Sequence, residues 1–190
     1  MKENRRILAI DDGPFKFGDP TADIVGVLSR GPSYIEVIMK SYVEVDGRDS
    51  TEKIISMIKS SGYTEQVSLI LLDGAAFGGF NVFDIFEINE KLDIPVMTVT
   101  RRSPDIERIK NALSAHFEDW SERLAIITKG NIHELTVNGG KVYVKPAGLE
   151  ISEGRAVLTR FTVQGLIPEP LRMAHMVAAV LKKNISSGKA

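Results

Sequence analysis

Two stretches of the chain place carboxylates where chemistry is usually done. In ILAIDDGPF an apolar run ends on Asp11 and Asp12, and in VSLILLDGAAFGGF a longer one ends on Asp73. A continuous apolar run bounded by turn formers reads as a strand buried on both faces. The carboxyl ends of such strands are where α/β sheets place their ligands. Carboxylates a few ångströms apart repel and resist ionisation unless a cation lies between them. Oxygen ligands select Mg²⁺ or Mn²⁺, and these ions clamp the phosphate of a phosphodiester and activate the attacking water. A lone aspartate at a strand end is more often a turn former or helix cap, so the pairing of Asp11 or Asp12 with Asp73 carries the reading.

Other residues qualify around that pair. Gly74, Gly78 and Gly79 follow Asp73 and allow close approach of a base or phosphate, although a tight loop explains them equally well. Arg101 and Arg102 end a later strand and suit phosphate contacts; solvated turn charges are the plain alternative. Arg172 and His175 lie one turn apart near the start of the last helix, where Arg172 is placed to pair with Asp11 or Asp73. Phe15 and Phe17, in GPFKFGDP, are candidates for stacking on bases, against the alternative of a loop tucked over the sheet. Trp120 reads as packing, and His116 and His133 are given no role.

The elements that would position these residues follow from periodicity. Residues 6–10, 22–29 and 34–45 read as three strands joined by short turns, which implies an antiparallel meander. The period then changes. Asp49-Ser50-Thr51-Glu52 has the spacing of a helix N-terminus, and Ile54, Ile55 and Ile58 form its apolar face before Gly62 stops it. The strand ending at Asp73 is followed by a helix over 81–92, a strand over 94–100 and a helix over 105–117. Residues 122–149 are less regular, with a turn at Asn138-Gly139-Gly140, and Pro168-Glu169-Pro170 opens a last helix to Lys183. The order β-β-β-α-β-α-β implies a mixed α/β sheet of five strands, a meander extended by right-handed crossovers, with the first and fourth strands adjacent. Asp49 or Glu52, at the start of the first helix, is expected at the same rim.

Composition narrows the function classes. The 190 residues fit a single domain, with 43% hydrophobic and 26% charged residues, ordinary for a globular protein. A formal net charge of −1 argues against a uniformly basic coat but leaves room for a local basic groove. The absence of cysteine removes disulfides, thiolate catalysis and cysteine-ligated zinc. No apolar run approaches the roughly 20 residues of a membrane helix, and MKENRRILAID has no signal-peptide core, so no membrane association and a cytoplasmic location are expected. Oligomeric state has no signature in the sequence.

Four patches, IDDG, LLDGAAFGG, FEINEKLDIPVMTVTR and IPEPLRMAH, together resemble endonuclease V and, more closely, a mainly archaeal family of uncharacterised proteins related to it. IDDG resembles the family's first-strand aspartate motif, with Asp11 the match. LLDGAAFGG resembles its VDGHG-type strand, placing Asp73 on a metal-binding aspartate. FEINEKLDIPVMTVTR resembles the SHLGLLLDIPTIGVAK stretch, with Arg101 near the family's lysine, and IPEPLRMAH resembles its LPEPTRLAD-type segment. The resemblance implies a ribonuclease H-like fold and a Mg²⁺ or Mn²⁺ site on Asp11 and Asp73. It also implies a nucleic-acid partner. The family's helix glutamate falls on Glu52, with Asp49 the alternative, and its final aspartate falls on His175. The strand histidine is replaced at Ala75-Ala76, and the proline- and tyrosine-containing wedge has no counterpart in VEVDGRDST.

Three functions are therefore expected in descending order. The first is a metal-dependent phosphodiesterase, with Asp11, Asp73, Asp49 or Glu52 and His175 in the catalytic group, and Gly74, Gly78, Gly79, Arg101 and Arg172 on the substrate. The second is a nucleic-acid-binding relative that has lost catalysis. The third is a protein that binds a small nucleotide.

Overall fold

The structure is a computed structural model describing residues 5–16 and 18–182. Phe17 and Lys183 lie outside the described residues. Three strands, β1 (Arg6–Asp12), β2 (Thr21–Arg30) and β3 (Tyr34–Glu44), form the expected antiparallel meander. After helix α1 (Ser50–Ser60), β4 (Leu69–Asp73) returns beside β1 and runs parallel to it. A short ribbon of β5 (Ala76–Phe77) and β6 (Asn81–Val82) leads to α2 (Ile85–Leu92) and to β7 (Val96–Thr100), parallel to β4. Helices α3 (Ile106–His116) and α4 (Trp120–Thr128) precede a hairpin of β8 (His133–Val137) and β9 (Gly140–Ala147). Helices α5 (Ile151–Phe161) and α6 (Glu169–Lys182) close the described chain.

The sheet order is β3-β2-β1-β4-β7-β9-β8, so the main sheet has seven strands where five are expected from the sequence. The two added strands come from the stretch that lacks a clear period. Asn138 and Gly139 both take positive φ, +47° and +80°, which turns the chain tightly and folds β9 antiparallel onto β8, and β9 in turn pairs antiparallel with β7. The helix expected over 81–92 starts later, at Ile85. Asn81 and Val82 are held in the ribbon, and Asp84 caps α2 by accepting from the backbone N–H groups of Phe86 and Glu87.

Strand alternation sorts the core into two layers. Leu8, Ile10, Ile70 and Leu72 face α1 and α2, with Ile54, Ile58 and Ile88. Ile7, Ala9, Leu69, Leu71, Met97 and Val99 face the opposite way, against Phe161 of α5 and Leu171 of α6. Farther along, α6 lays Ala174 and Ala178 on Val25 and Val27 of β2. The small side chains let the helix sit close: a Cβ on Gly13 would stand 2.9 Å from the Ala178 carbonyl oxygen. A larger residue at Gly13 would push away the helix that carries His175.

Candidate active site

The parity that builds the core also builds the site. β1 and β4 pair in parallel with Ile7 opposite Leu69 and Ala9 opposite Leu71, and the last rung is Ile10 opposite Leu72. One residue beyond that rung on each strand stand Asp11 and Asp73, at the ends of strands about 4.8 Å apart. Both carboxylates therefore leave the same face of the sheet, toward α6. Asp12 points the other way. Its Oδ2 accepts from the Gly78 backbone N–H at 2.8 Å and pins the β5–β6 ribbon to the end of β1. The ambiguity between Asp11 and Asp12 is thus resolved by strand alternation.

His175 reaches the pair from α6, its Nδ1 lying 2.8 Å from Oδ2 of Asp11. Asp11 is almost wholly buried at 3% exposure, while the imidazole is partly open to solvent. The other oxygen of Asp11 accepts from the Asp12 backbone N–H at 2.8 Å. Burial first, and then the neighbouring Asp11, push the Asp73 carboxyl up to about 7; His175 and Arg101 oppose the rise. Asp12 is pushed up to about 6, chiefly by burial, against the Gly78 N–H that favours its anion. The hydrogen bond to Asp11 holds the His175 imidazole above its ordinary value, against its own partial burial. Asp11, Asp12, Asp73 and His175, with Gly13, Pro14, Phe15 and Ala179, line one open cleft of about 280 Å³. The cluster is short of positive charge.

Arg101 stands two residues beyond Val99 at the end of β7, exposed, and its charge acts on both Asp73 and His175. Arg172 does not join them. Its guanidinium is 2.7 Å from Glu169, and it lines a depression with Pro32 and Ser33, at the β2–β3 turn on the opposite rim of the sheet. The pairing of Arg172 with Asp11 or Asp73 expected from sequence is therefore corrected. One helical turn separates Arg172 from His175 along α6, and that turn carries it away from the cleft.

Asp49 and Glu52 are not in the cleft either. Asp49 Oδ1 accepts from Asn81 Nδ2 at 2.6 Å and from the Glu44 N–H at 3.1 Å. The fully buried Asn81 also accepts from the Ser50 N–H at 2.9 Å and donates to the Glu44 carbonyl at 2.8 Å, tying α1, β3 and β6 together. Glu52 borders a depression with Arg48, Asp84, Glu87 and Lys91, on the α1–α2 side of the sheet. Gly78 and Gly79 serve the ribbon turn: Gly79 has φ +88°, and a Cβ there would meet Asp46 Oδ1 at 2.3 Å. Among the described residues no group of three or more His, Asp or Glu side chains is arranged to hold a metal ion.

A second concavity was not foreseen. Gly74, directly after Asp73, opens onto an apolar cavity of about 240 Å³ between the β7–β9 face and helices α3 and α4. Phe83, Ile85, Ile109, Ile126 and Ile127 wall it, and Thr98 and Lys145 add polar atoms. A lysine between valine and proline in VYVKPA was the sequence signal that an amine is turned inward from a buried strand.

The chain's relatives agree with this architecture. Residues 3–182 match the profile of the family described as endonuclease dU. A UPF0215 protein of Methanothermobacter thermautotrophicus is 40% identical over 192 residues, covering 100% of this chain and 94% of the relative. A crystal structure of a protein of unknown function from Archaeoglobus fulgidus superposes with a TM-score of 0.83 at 35% identity, covering 93% of this chain and 98% of that one. Endonuclease V of Ciona intestinalis, solved with a DNA containing an inosine, superposes with a TM-score of 0.59 at 13% identity, over 90% of this chain and 83% of that chain. The fold is ribonuclease H-like, as the motifs imply.

Proposed function

The chain belongs to the endonuclease dU family, and from that premise we propose that it is a divalent-metal-dependent phosphodiesterase acting on nucleic acid. One observation carries the reading: Asp11 and Asp73 leave adjacent parallel strands on the same face, and Asp73 is pushed up to about 7 by burial and by Asp11. Two carboxylates fit Mg²⁺, which keeps several waters and is bound through one or two carboxylates and the phosphates of the substrate. Asp11 and Asp73 would hold the ion, which supplies polarisation of a phosphoryl oxygen and a water of lowered pKa.

The chain's own groups do the rest. Arg101, whose charge acts on Asp73 and His175 from the end of β7, suits a nonbridging phosphate oxygen. His175 has Nδ1 committed to Asp11, which leaves Nε2 as the ring nitrogen able to exchange a proton with substrate. Asp12 keeps the glycine ribbon against the site through Gly78. Phe15, 36% exposed at the cleft edge, offers a face on which a base can stack.

The test is cleavage of uracil- and inosine-containing DNA and RNA oligonucleotides with Mg²⁺ or Mn²⁺. Wild type is expected to cut at least one of them, and Asp73→Asn to lose about a hundredfold or more of the rate. Equal rates for both proteins would overturn the reading. The His175–Asp11 hydrogen bond favours one alternative, a nucleic-acid-binding relative without catalysis, because an imidazolium there supplies part of the missing positive charge. Metal-independent binding, equal in wild type and Asp73→Asn and without cleavage, would select it.

A further inference from the structure

The cavity behind Gly74 contains a buried charged-type side chain for which the cleft chemistry has no use. Lys145 sits on β9 opposite Thr98 of β7 and is 7% exposed. Its stem lies along the apolar wall, and its amine donates to the Ile127 carbonyl in the last turn of α4. That is the one acceptor it meets among the described residues, so an ammonium retains two further N–H groups and a neutral amine one. Burial holds the amine below its ordinary value, with Asp84 opposing, and in either protonation state it remains a donor.

The position matters because of how β4 ends. Asp73 faces α6, whereas Gly74, at φ +70°, lines the cavity on the other side. A nucleotide straddling this strand end would place its phosphate by Asp73 and its base in the cavity, out of the stack. The walls are apolar, and of the polar side chains lining the cavity, Thr100 and Tyr143 are engaged with backbone and with Glu134. Lys145 and Thr98 are left to read the edge of the base.

We propose that Lys145 is a specificity-determining residue that donates to a carbonyl oxygen on the base and rejects bases carrying an amino group at that position. This rests on the phosphodiesterase reading and deepens it by naming the side chain that reads the base. Uracil and cytosine differ at one ring carbon, carbonyl against amino, as do hypoxanthine and adenine. An amino group facing the ammonium sets donor against donor in an apolar cavity and leaves both unsatisfied, so the rejection belongs to the ammonium form of Lys145.

The experiment compares wild type with Lys145→Met, which keeps the stem and removes the donor, and with Lys145→Gln, which restores a shorter one. The first readout is the ratio of kcat/KM for a uracil-containing oligonucleotide to that for its cytosine counterpart. The second is thermal stabilisation by dUMP relative to dCMP, which needs no catalysis. Wild type is expected to prefer uracil in whichever readout is active, and Lys145→Met to reduce the preference about ten- to hundredfold, with Lys145→Gln in between. Each ratio is taken within one protein, so a loss of folded fraction cancels. Wild type cleaving both substrates alike, or Lys145→Met keeping the preference, overturns the lysine's role and leaves the phosphodiesterase standing. Selective dUMP stabilisation that Lys145→Met loses, without cleavage of any oligonucleotide, upholds the lysine's role and removes the catalytic reading. Neither cleavage nor stabilisation overturns both.

Discussion

In metal-free protein the strand-end carboxylates should make the fold less stable as pH rises, and replacing Asp73 by asparagine should remove much of that loss. An unfolded aspartate ionises near pH 3.9, whereas folded Asp73 keeps its proton to about 7. Between those values the native state binds more protons than the unfolded one, so stability falls with rising pH. A rise from 3.8 to about 7 corresponds to about 4 kcal/mol over the whole interval, at about 1.36 kcal/mol per pH unit. The share expected between pH 5 and 7.5 is about 2–3 kcal/mol. His175 adds to the trend with the same sign. Its folded value is raised by Asp11, so its contribution is full below about pH 6.5 and is lost as pH rises through that raised value. Urea unfolding in EDTA at pH 5, 6, 7 and 7.5 measures this directly. Asp73→Asn is expected to lose about 2 kcal/mol less stability between pH 5 and 7.5 and to be the more stable protein at pH 7.5, against the usual direction of a substitution. In thermal scans 2 kcal/mol is about 4–8 °C for a chain of this length. Equal pH dependence in the two proteins would refute the electrostatic reasoning.

Other outcomes follow from single contacts. Asn81→Ala should cost about 2–4 kcal/mol in urea unfolding, because three backbone or side-chain partners lose their hydrogen bonds inside the fold. Gly79→Ala should cost about 1–3 kcal/mol by the same measurement, since φ is +88° and the added Cβ would fall 2.3 Å from Asp46 Oδ1. Glu52→Gln should leave Mn²⁺ binding unchanged in calorimetry, as Glu52 borders a depression on the other side of the sheet. His175→Asp should tighten Mg²⁺ binding about tenfold or more, by freeing Asp11 and adding a third carboxylate.

Much of the sheet was legible because its signals are local. Three strands with short turns, then two apolar runs separated by amphipathic helices, sufficed to place β1 beside β4 and to bring Asp11 or Asp12 next to Asp73. The β8–β9 hairpin was visible only as a turn, since its strands mix charged and apolar residues and their place beside β7 depends on long-range pairing. Helix starts proved a poor guide to the site. Asp49 does sit at the N-terminus of α1, but Asn81 engages its carboxylate from a distant ribbon that no periodicity announces. Arg172 and His175 look equivalent in sequence, and the pitch of α6 sends them to opposite rims. The cavity beside Gly74 is assembled from β7, β9, α3 and α4, elements that meet only in the folded chain.

The central claim is that Asp11 and Asp73 form a divalent-cation site at the ends of β1 and β4. Titration calorimetry with Mn²⁺, wild type beside Asp73→Asn at pH 7.5, tests it most directly. The expected result is binding by wild type that the variant loses while remaining folded. Absence of binding in wild type, or unchanged binding in Asp73→Asn, would contradict it.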